Sequence, residues 1–332
     1  MRGVEEMSNK AKIVLDRITC ERGKRREGFI DVAKTASGGW ISIPVIEIKG
    51  EEDGPVILVD SCIHGDEYEG SEAILQVAEW LENNKFKGTF IGVPALNLEA
   101  YCFNSRDSII DNANMNRIFP GDSDKYITQR IAARYCKDVI NNVDYCITFH
   151  GGGTVLHLES IIGYIPDDTE LGKTSFEMAK AFGGRYTWKM QNLPFEGTSI
   201  YEIAKAGVPV ILPEVGSHCG RLHDWEDNVA LCKQGIFNTM SYLGFVEEEI
   251  VSKYNSIDVE LHYVHTNDGG RHKLLKKENE EFKAGETLAE VKGLFGESVS
   301  LVKAPHDGVV IGYWSVPVIK PGDWSYLIGM KL

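Results

Sequence analysis

The sequence predicts an α/β fold with a mixed, mostly parallel central sheet flanked by helices, followed by a small all-β module. Three observations predict it. Short apolar runs of strand length alternate with segments of helical period as far as about residue 254. Runs such as VILVD and VPVIL are apolar on both faces, as strands covered by helices on each side must be. After Tyr254 the texture changes to short strand-like pieces separated by turns.

In order, Ile41–Ile48 reads as a strand and the charged GEEDGP (Gly50–Pro55) as a turn. Val56–Asp60 is a buried strand. Glu69–Trp80 has helical spacing that aligns Ile74, Val77, Ala78 and Leu81 on one face. Phe90–Val93 is a strand, Gln129–Asn141 a helix and Tyr145–Phe149 a strand. Thr174–Phe182 and Thr198–Ala206 are helical. Val208–Leu212 is a buried strand with Pro209 best placed near its start. Asn228–Leu243 is a long amphipathic helix. The turns NDGGR, KAGET, APHDGVV and KPGDW then punctuate the β module. The expected division is a catalytic domain over 1–254 and a β-rich domain over 255–332 that covers the active-site cleft.

The chain has 332 residues, 43% of them hydrophobic, enough for one large core or a core plus a smaller module. Its formal net charge is −14, which repels nucleic acid and anionic membranes, so neither is an expected partner. MRGVEEMSNK lacks the apolar run of a secretory signal, and no apolar run is long enough to span a bilayer. Seven scattered cysteines with no C-x-x-C pair read as reduced thiols, most of them buried as small apolar side chains, in a cytoplasmic protein. A homo-oligomer is the base-rate expectation.

The sharpest chemical signal is HGDEYEG, His64 to Gly70, which follows the VILVD strand and enters a helix. His64 and Glu67 form an H-x-x-E pair, a spacing that brings both side chains to one side of a first helical turn. Imidazole and carboxylate are ordinary zinc ligands, and two His with one Glu leave a position for water. In open α/β sheets ligands bind beyond the carboxyl ends of the strands, where this motif sits. Taken alone, an H-x-x-E pair is more often two polar residues on the solvent-facing side of a helix.

His150 ends the strand YCITF and precedes Gly151, Gly152 and Gly153, a way to present a ligand beside open space. Alone it reads as a satisfied core histidine; beside the His64–Glu67 pair it reads as the third ligand. His157 reads as structural, and His218 and His223 as outer or substrate groups. Glu214 follows VPVIL at another strand end. A carboxylate there suits a general base, although a lone Glu is by default a cap or ion-pair partner. The polar segment Asn104–Asp122 holds Arg106, Asn116 and Arg117. Arginine forks fit carboxylates and oxyanions, which points to an anionic substrate. The bland alternative is a solvated loop, with Arg117 paired to Asp111 or Asp122.

HGDEYEG, NLEA, Arg106, NRIFPG, FHGGG and PEVG occur in this order over about Val56–Gly216, and as a set they resemble the succinylglutamate desuccinylase/aspartoacylase family of the zinc carboxypeptidase-like superfamily. The β module resembles that family's C-terminal domain. The resemblance implies one zinc per chain on His64, Glu67 and His150, and Glu214 as the base. It implies Arg106 polarising the scissile carbonyl, and Asn116 and Arg117 holding a substrate carboxylate. Asn97 is followed by Leu98 where the family often has proline, and Asn114-Met115-Asn116-Arg117 lacks the family's frequent aspartate; both departures lie outside the metal set. The expected activity is hydrolysis of the amide bond of a small N-acyl amino acid or related N-acyl amine. A zinc carboxypeptidase and a non-catalytic metal-dependent binding protein are the rivals. No G-x-S-x-G elbow or P-loop is present.

Overall fold

A computed structural model describes residues 21–191, 195–218, 220 and 224–332. Cys20, Cys219, His223 and the N-terminal MRGVEEMSNK lie outside the described residues.

The described residues begin with β1 (Lys24–Lys34), β2 (Trp40–Lys49) and β3 (Glu52–Asp60), then α1 (Glu69–Asn83), β4 (Lys87–Val93), α2 (Leu98–Cys102) and α3 (Ile127–Asp138). Next come β5 (Tyr145–Thr148), β6 (Leu156–Leu158), β7 (Ile161–Tyr164), α4 (Glu170–Phe182), β8 (Tyr186–Lys189), α5 (Ser199–Lys205), β9 (Val210–Glu214) and α6 (Trp225–Tyr242). The remainder is strand and turn: β10 (Ile257–His265), β11 (Gly270–Leu274), β12 (Glu281–Phe282), β13 (Thr287–Lys292), β14 (Ser298–Lys303), β15 (Gly308–Trp314), β16 (Val318–Ile319) and β17 (Trp324–Lys331).

The mixed α/β sheet expected from the sequence is present. Its middle is a parallel strip in the order β4-β3-β5-β9. Alternation decides which residues face which layer. Val56, Leu58, Cys146, Val210 and Leu212 pack into one core, while Ile57, Val59, Ile147 and Ile211 pack into the core on the opposite face. Ile74, Val77, Ala78 and Leu81 bury the predicted face of α1 in that second core, where α1 packs against α6.

The chain crosses from β3 through α1 to β4 on one side, then returns to β5 on the other side of β3. This reversal is a topological switch point, and it opens a crevice beyond the carboxyl ends of β3 and β5.

Two differences from the expected elements have physical causes. GEEDGP is mostly strand, because β3 starts at Glu52, pairs with Lys87 and shifts register before Val56. The local turn residues are overridden by a ladder that β4 supplies. Second, β10 pairs in parallel with β8 and antiparallel with β17, so the central sheet runs on into the C-terminal strands. A separate sheet β14-β13-β11-β16 packs with β10, β12, β15 and β17 around a third, smaller core. No helix among the described residues is long and apolar enough to cross a membrane.

Candidate metal centre

Strand geometry brings the site together. Asp60, Thr148 and the residues that follow them sit at the carboxyl ends of β3 and β5, and β5 neighbours β9 in parallel. Beyond the end of β5, His150 forms one more parallel bridge with Glu214: the His150 amide donates to the Pro213 carbonyl and the Val215 amide to the His150 carbonyl. Residues opposite one another on parallel strands present their side chains to the same face. His150 and Glu214 therefore meet although 64 residues separate them.

His64 and Glu67 arrive from the β3–α1 turn. His64, Glu67 and His150 are buried, and one donor atom from each lies within 4.8 Å of the others, an arrangement that could hold a metal ion. His150 Nδ1 is 2.9 Å from Glu67 Oε2, and Arg106 Nη1 donates to Glu67 Oε1 at 2.9 Å. Burial, with the Arg106 and His150 charges adding, holds His64 well below the ordinary imidazole range, so it is a neutral ring with a lone pair. Burial would lower His150 too, but the adjacent Glu67 carboxylate outweighs it and raises His150. Two imidazoles and a carboxylate converging out of water form a donor set suited to zinc, and a divalent cation would replace the proton that His150 and Glu67 otherwise share.

The motif's other residues support this geometry. Asn97 donates from Nδ2 to the Ile63 carbonyl at 3.3 Å and caps α2 by accepting from the Ala100 amide, which pins the backbone just before His64. This is a structural reason for NLEA, and it does not require the proline that the family often has after the asparagine. Asp66, between the two H-x-x-E residues, accepts from the Thr154 amide at 2.9 Å and hydroxyl at 3.1 Å. It thereby ties down the glycine loop after His150, where Gly153 has φ +54° and a side chain would collide with the Asp66 carboxylate.

All seven residues singled out from the sequence line one cavity of about 280 Å³. Arg106 is half-buried against Glu67. Asn116 is buried, with Nδ2 3.2 Å from His150 Nε2 and Oδ1 accepting from the Ser199 amide at the start of α5. Arg117 lies at the exposed rim and donates to the Asn116 carbonyl at 2.7 Å. Its pairing with Asp111 is not found; Asp111 instead accepts from the Thr128 amide and hydroxyl. Burial pushes the Glu214 carboxyl up to about 7, with His150 opposing and Glu67 adding. That places it near neutrality, where a group can both take and give a proton.

Sequence reasoning missed Asp66, although it lies inside the best motif, and it missed Tyr263. Tyr263, Trp324 and Leu327 come from β10 and β17 and join the lining of the cavity; the Tyr263 and Trp324 rings stack 4.5 Å apart. Nothing local in DVELHYVH marks Tyr263 as a site residue. His157 and His218 face each other 5.6 Å apart, outside the donor set.

Comparison with known proteins agrees with this arrangement. The family model of the succinylglutamate desuccinylase/aspartoacylase catalytic domain matches residues 53–243. The chain is 30% identical over 293 residues to an N-alpha-acetyl-L-2,4-diaminobutyric acid deacetylase from Halomonas elongata, covering 86% of this chain and 84% of that one. A product-bound structure of the ectoine utilization protein EutE (DoeB) from Ruegeria pomeroyi superposes with a TM-score of 0.85 at 25% identity, over 96% of this chain and 97% of the other. A succinylglutamate desuccinylase from a Silicibacter species superposes with a TM-score of 0.84 at 25% identity, over 93% and 95%. The family match takes in more than half of the chain and includes every residue that the motif set assigned to the metal site, so the chain belongs to the succinylglutamate desuccinylase/aspartoacylase family, enzymes that hydrolyse linear amides.

Proposed function

We propose that this enzyme is a zinc-dependent deacylase that cleaves the amide bond of a small, anionic N-acyl amino acid. One zinc would be held by His64, Glu67 and His150, and when bound it would supply Lewis acidity to the scissile carbonyl and to water. Glu214 takes the proton of the attacking water on its carboxylate and returns it to the departing nitrogen. Arg106 stabilises the developing oxyanion, and Asn116 and Arg117 orient the substrate carboxylate. The products are a carboxylate and a free amine.

The observation that carries this reading is the His150–Glu214 bridge, which sets a base with a near-neutral pKa beside a buried two-imidazole, one-carboxylate donor set. The relative named as an N-acetyl-diaminobutyrate deacetylase supports the reaction class. The cavity of about 280 Å³, lined in part by residues of β10 and β17, supports a small substrate over an extended peptide and a covering role for the C-terminal strands.

The test is Glu214→Gln. The variant is expected to keep about one zinc per chain and to lose roughly two to four orders of magnitude in kcat. Retained turnover would remove the base assignment, and lost metal would move Glu214 into the ligand set.

A further inference from the structure

The cavity is chemically two-sided. Besides the polar site residues it is lined by Leu156 and Leu158 of β6, Trp188 of β8 with Met190 just beyond that strand, Ile200 of α5 and Leu212 of β9. All six are buried, none more than 7% exposed. Leu212 lies two residues before Glu214 and on the same face of β9, so the wall begins one pleat below the base. Protein interiors pack to near-crystalline density, and an apolar wall bordering an open cavity lacks partner atoms on one side.

We infer that the substrate carries an apolar group, the size of a branched or aromatic side chain or of a butanoyl to benzoyl acyl group, that packs on this wall. The inference rests on the deacylase reading and deepens it. A cationic side chain such as diaminobutyrate's would leave this surface unmatched and forfeit its own solvation there. The reaction is unchanged: the amide C–N bond breaks, the acyl carbon gains hydroxyl and the nitrogen gains hydrogen, with no redox step.

The experiment measures kcat/KM of the zinc-loaded full chain on two series. One varies the acyl group on L-aspartate through acetyl, butanoyl, hexanoyl and benzoyl. The other varies the amino acid of N-acetyl substrates through alanine, leucine, phenylalanine and diaminobutyrate. A gain of about fourfold per buried methylene is expected along one series, and the series that responds tells which side of the amide meets the wall. Leu158→Phe, which narrows the wall, is expected to lower the ratio of long to short substrates in that series; Met190→Leu, a volume-conserving change, is expected to shift the ratio less. If short or charged members are cleaved best and both series stay flat, the inference is overturned while the deacylase reading stands. If no member is cleaved, the deacylase reading fails. Calorimetric affinities of acetate against hexanoate, and of diaminobutyrate against leucine, then decide the inference: graded affinity upholds it and equal affinity overturns it.

Discussion

Arg106 donates from Nη1 to Glu67 Oε1 at 2.9 Å while the other oxygen of Glu67 faces His150 at 2.9 Å. Arg106 is thus the counter-charge of a buried metal-site carboxylate as well as a candidate oxyanion donor. The two roles separate experimentally. A bound cation would take over part of the charge balance, so Arg106→Ala is expected to destabilise the chelator-treated protein more than the zinc-loaded one. Removing one partner of a buried pair costs about 3–5 kcal/mol, but Arg106 is 36% exposed and solvent screens it, so roughly 1–2 kcal/mol is expected without metal. In the loaded enzyme kcat is expected to fall by about two to three orders of magnitude. Urea unfolding with and without chelator, beside steady-state kinetics, checks both parts. Equal destabilisation in the two metal states contradicts the charge-balance role.

Asp66 should behave as a positioning residue. Both of its hydrogen bonds go through Oδ2 to Thr154, which anchors the glycine loop beyond His150. Hydrogen bonds to a charged group contribute about 1.5–3 kcal/mol each. Asp66→Ala is expected to lower stability by about 2–3 kcal/mol and to weaken zinc affinity by roughly 10–100-fold, the range for lost outer-shell partners. Asp66→Asn, which keeps an acceptor oxygen, is expected to recover most of the zinc affinity. Competitive zinc titration makes the comparison; if the two variants bind zinc equally weakly, the charge rather than the anchor matters.

The sequence exposes the metal ligands because each follows a strand of continuous apolar residues, and a strand end is a position that local pattern reveals. Glu214 was legible on the same ground. Its meeting with His150 was not, since parallel pairing of β5 with β9 depends on chain that is far away in sequence. The same limit hid Tyr263, which enters the cavity because β10 adds to β8. Asn97 and Asp66 were visible as motif letters, but their hydrogen bonds to Ile63 and Thr154 depend on tertiary approach. The strand start at Glu52 was masked by turn residues that a neighbouring strand overrules.

Gly70 tests a conflict between propensity and packing. It lies in the first turn of α1, where replacing glycine by alanine in a helix ordinarily stabilises by about 1 kcal/mol. Here the new Cβ would sit 2.4 Å from Phe149 Cβ and Cγ, atoms close to the backbone of the residue before His150. Neither helix nor strand can retreat without moving a ligand. Overpacking typically costs about 1–3 kcal/mol and is expected to win. Gly70→Ala should therefore be less stable and bind zinc more weakly than the parent. A rise in the unfolding midpoint would show that the turn relaxes freely.

Asp60 sets a pH dependence that belongs to the fold. It is fully buried at the end of β3, where the Tyr135 hydroxyl donates to it at 2.6 Å and the Thr148 hydroxyl at 2.8 Å. Burial pushes its carboxyl up from 3.8 to about 6, with those hydrogen bonds and His150 restraining the rise. A carboxyl whose folded pKa exceeds its unfolded value binds its proton more tightly in the native state. Its contribution to stability is therefore fully present below pH 3.8 and is lost as pH rises through about 6. Asp60→Asn is neutral at every pH, and its amide can still pair with both hydroxyls. The stability of the variant relative to the parent is thus expected to rise by about 2.5 kcal/mol between pH 4 and pH 8, at 1.36 kcal/mol per pKa unit, the rest of the shift lying below pH 4. Urea unfolding of both metal-free proteins across that range measures the difference, in which the titrations of the other carboxylates largely cancel. A difference that does not change with pH would mean that Asp60 is ionised throughout and that its hydroxyl partners outweigh its burial.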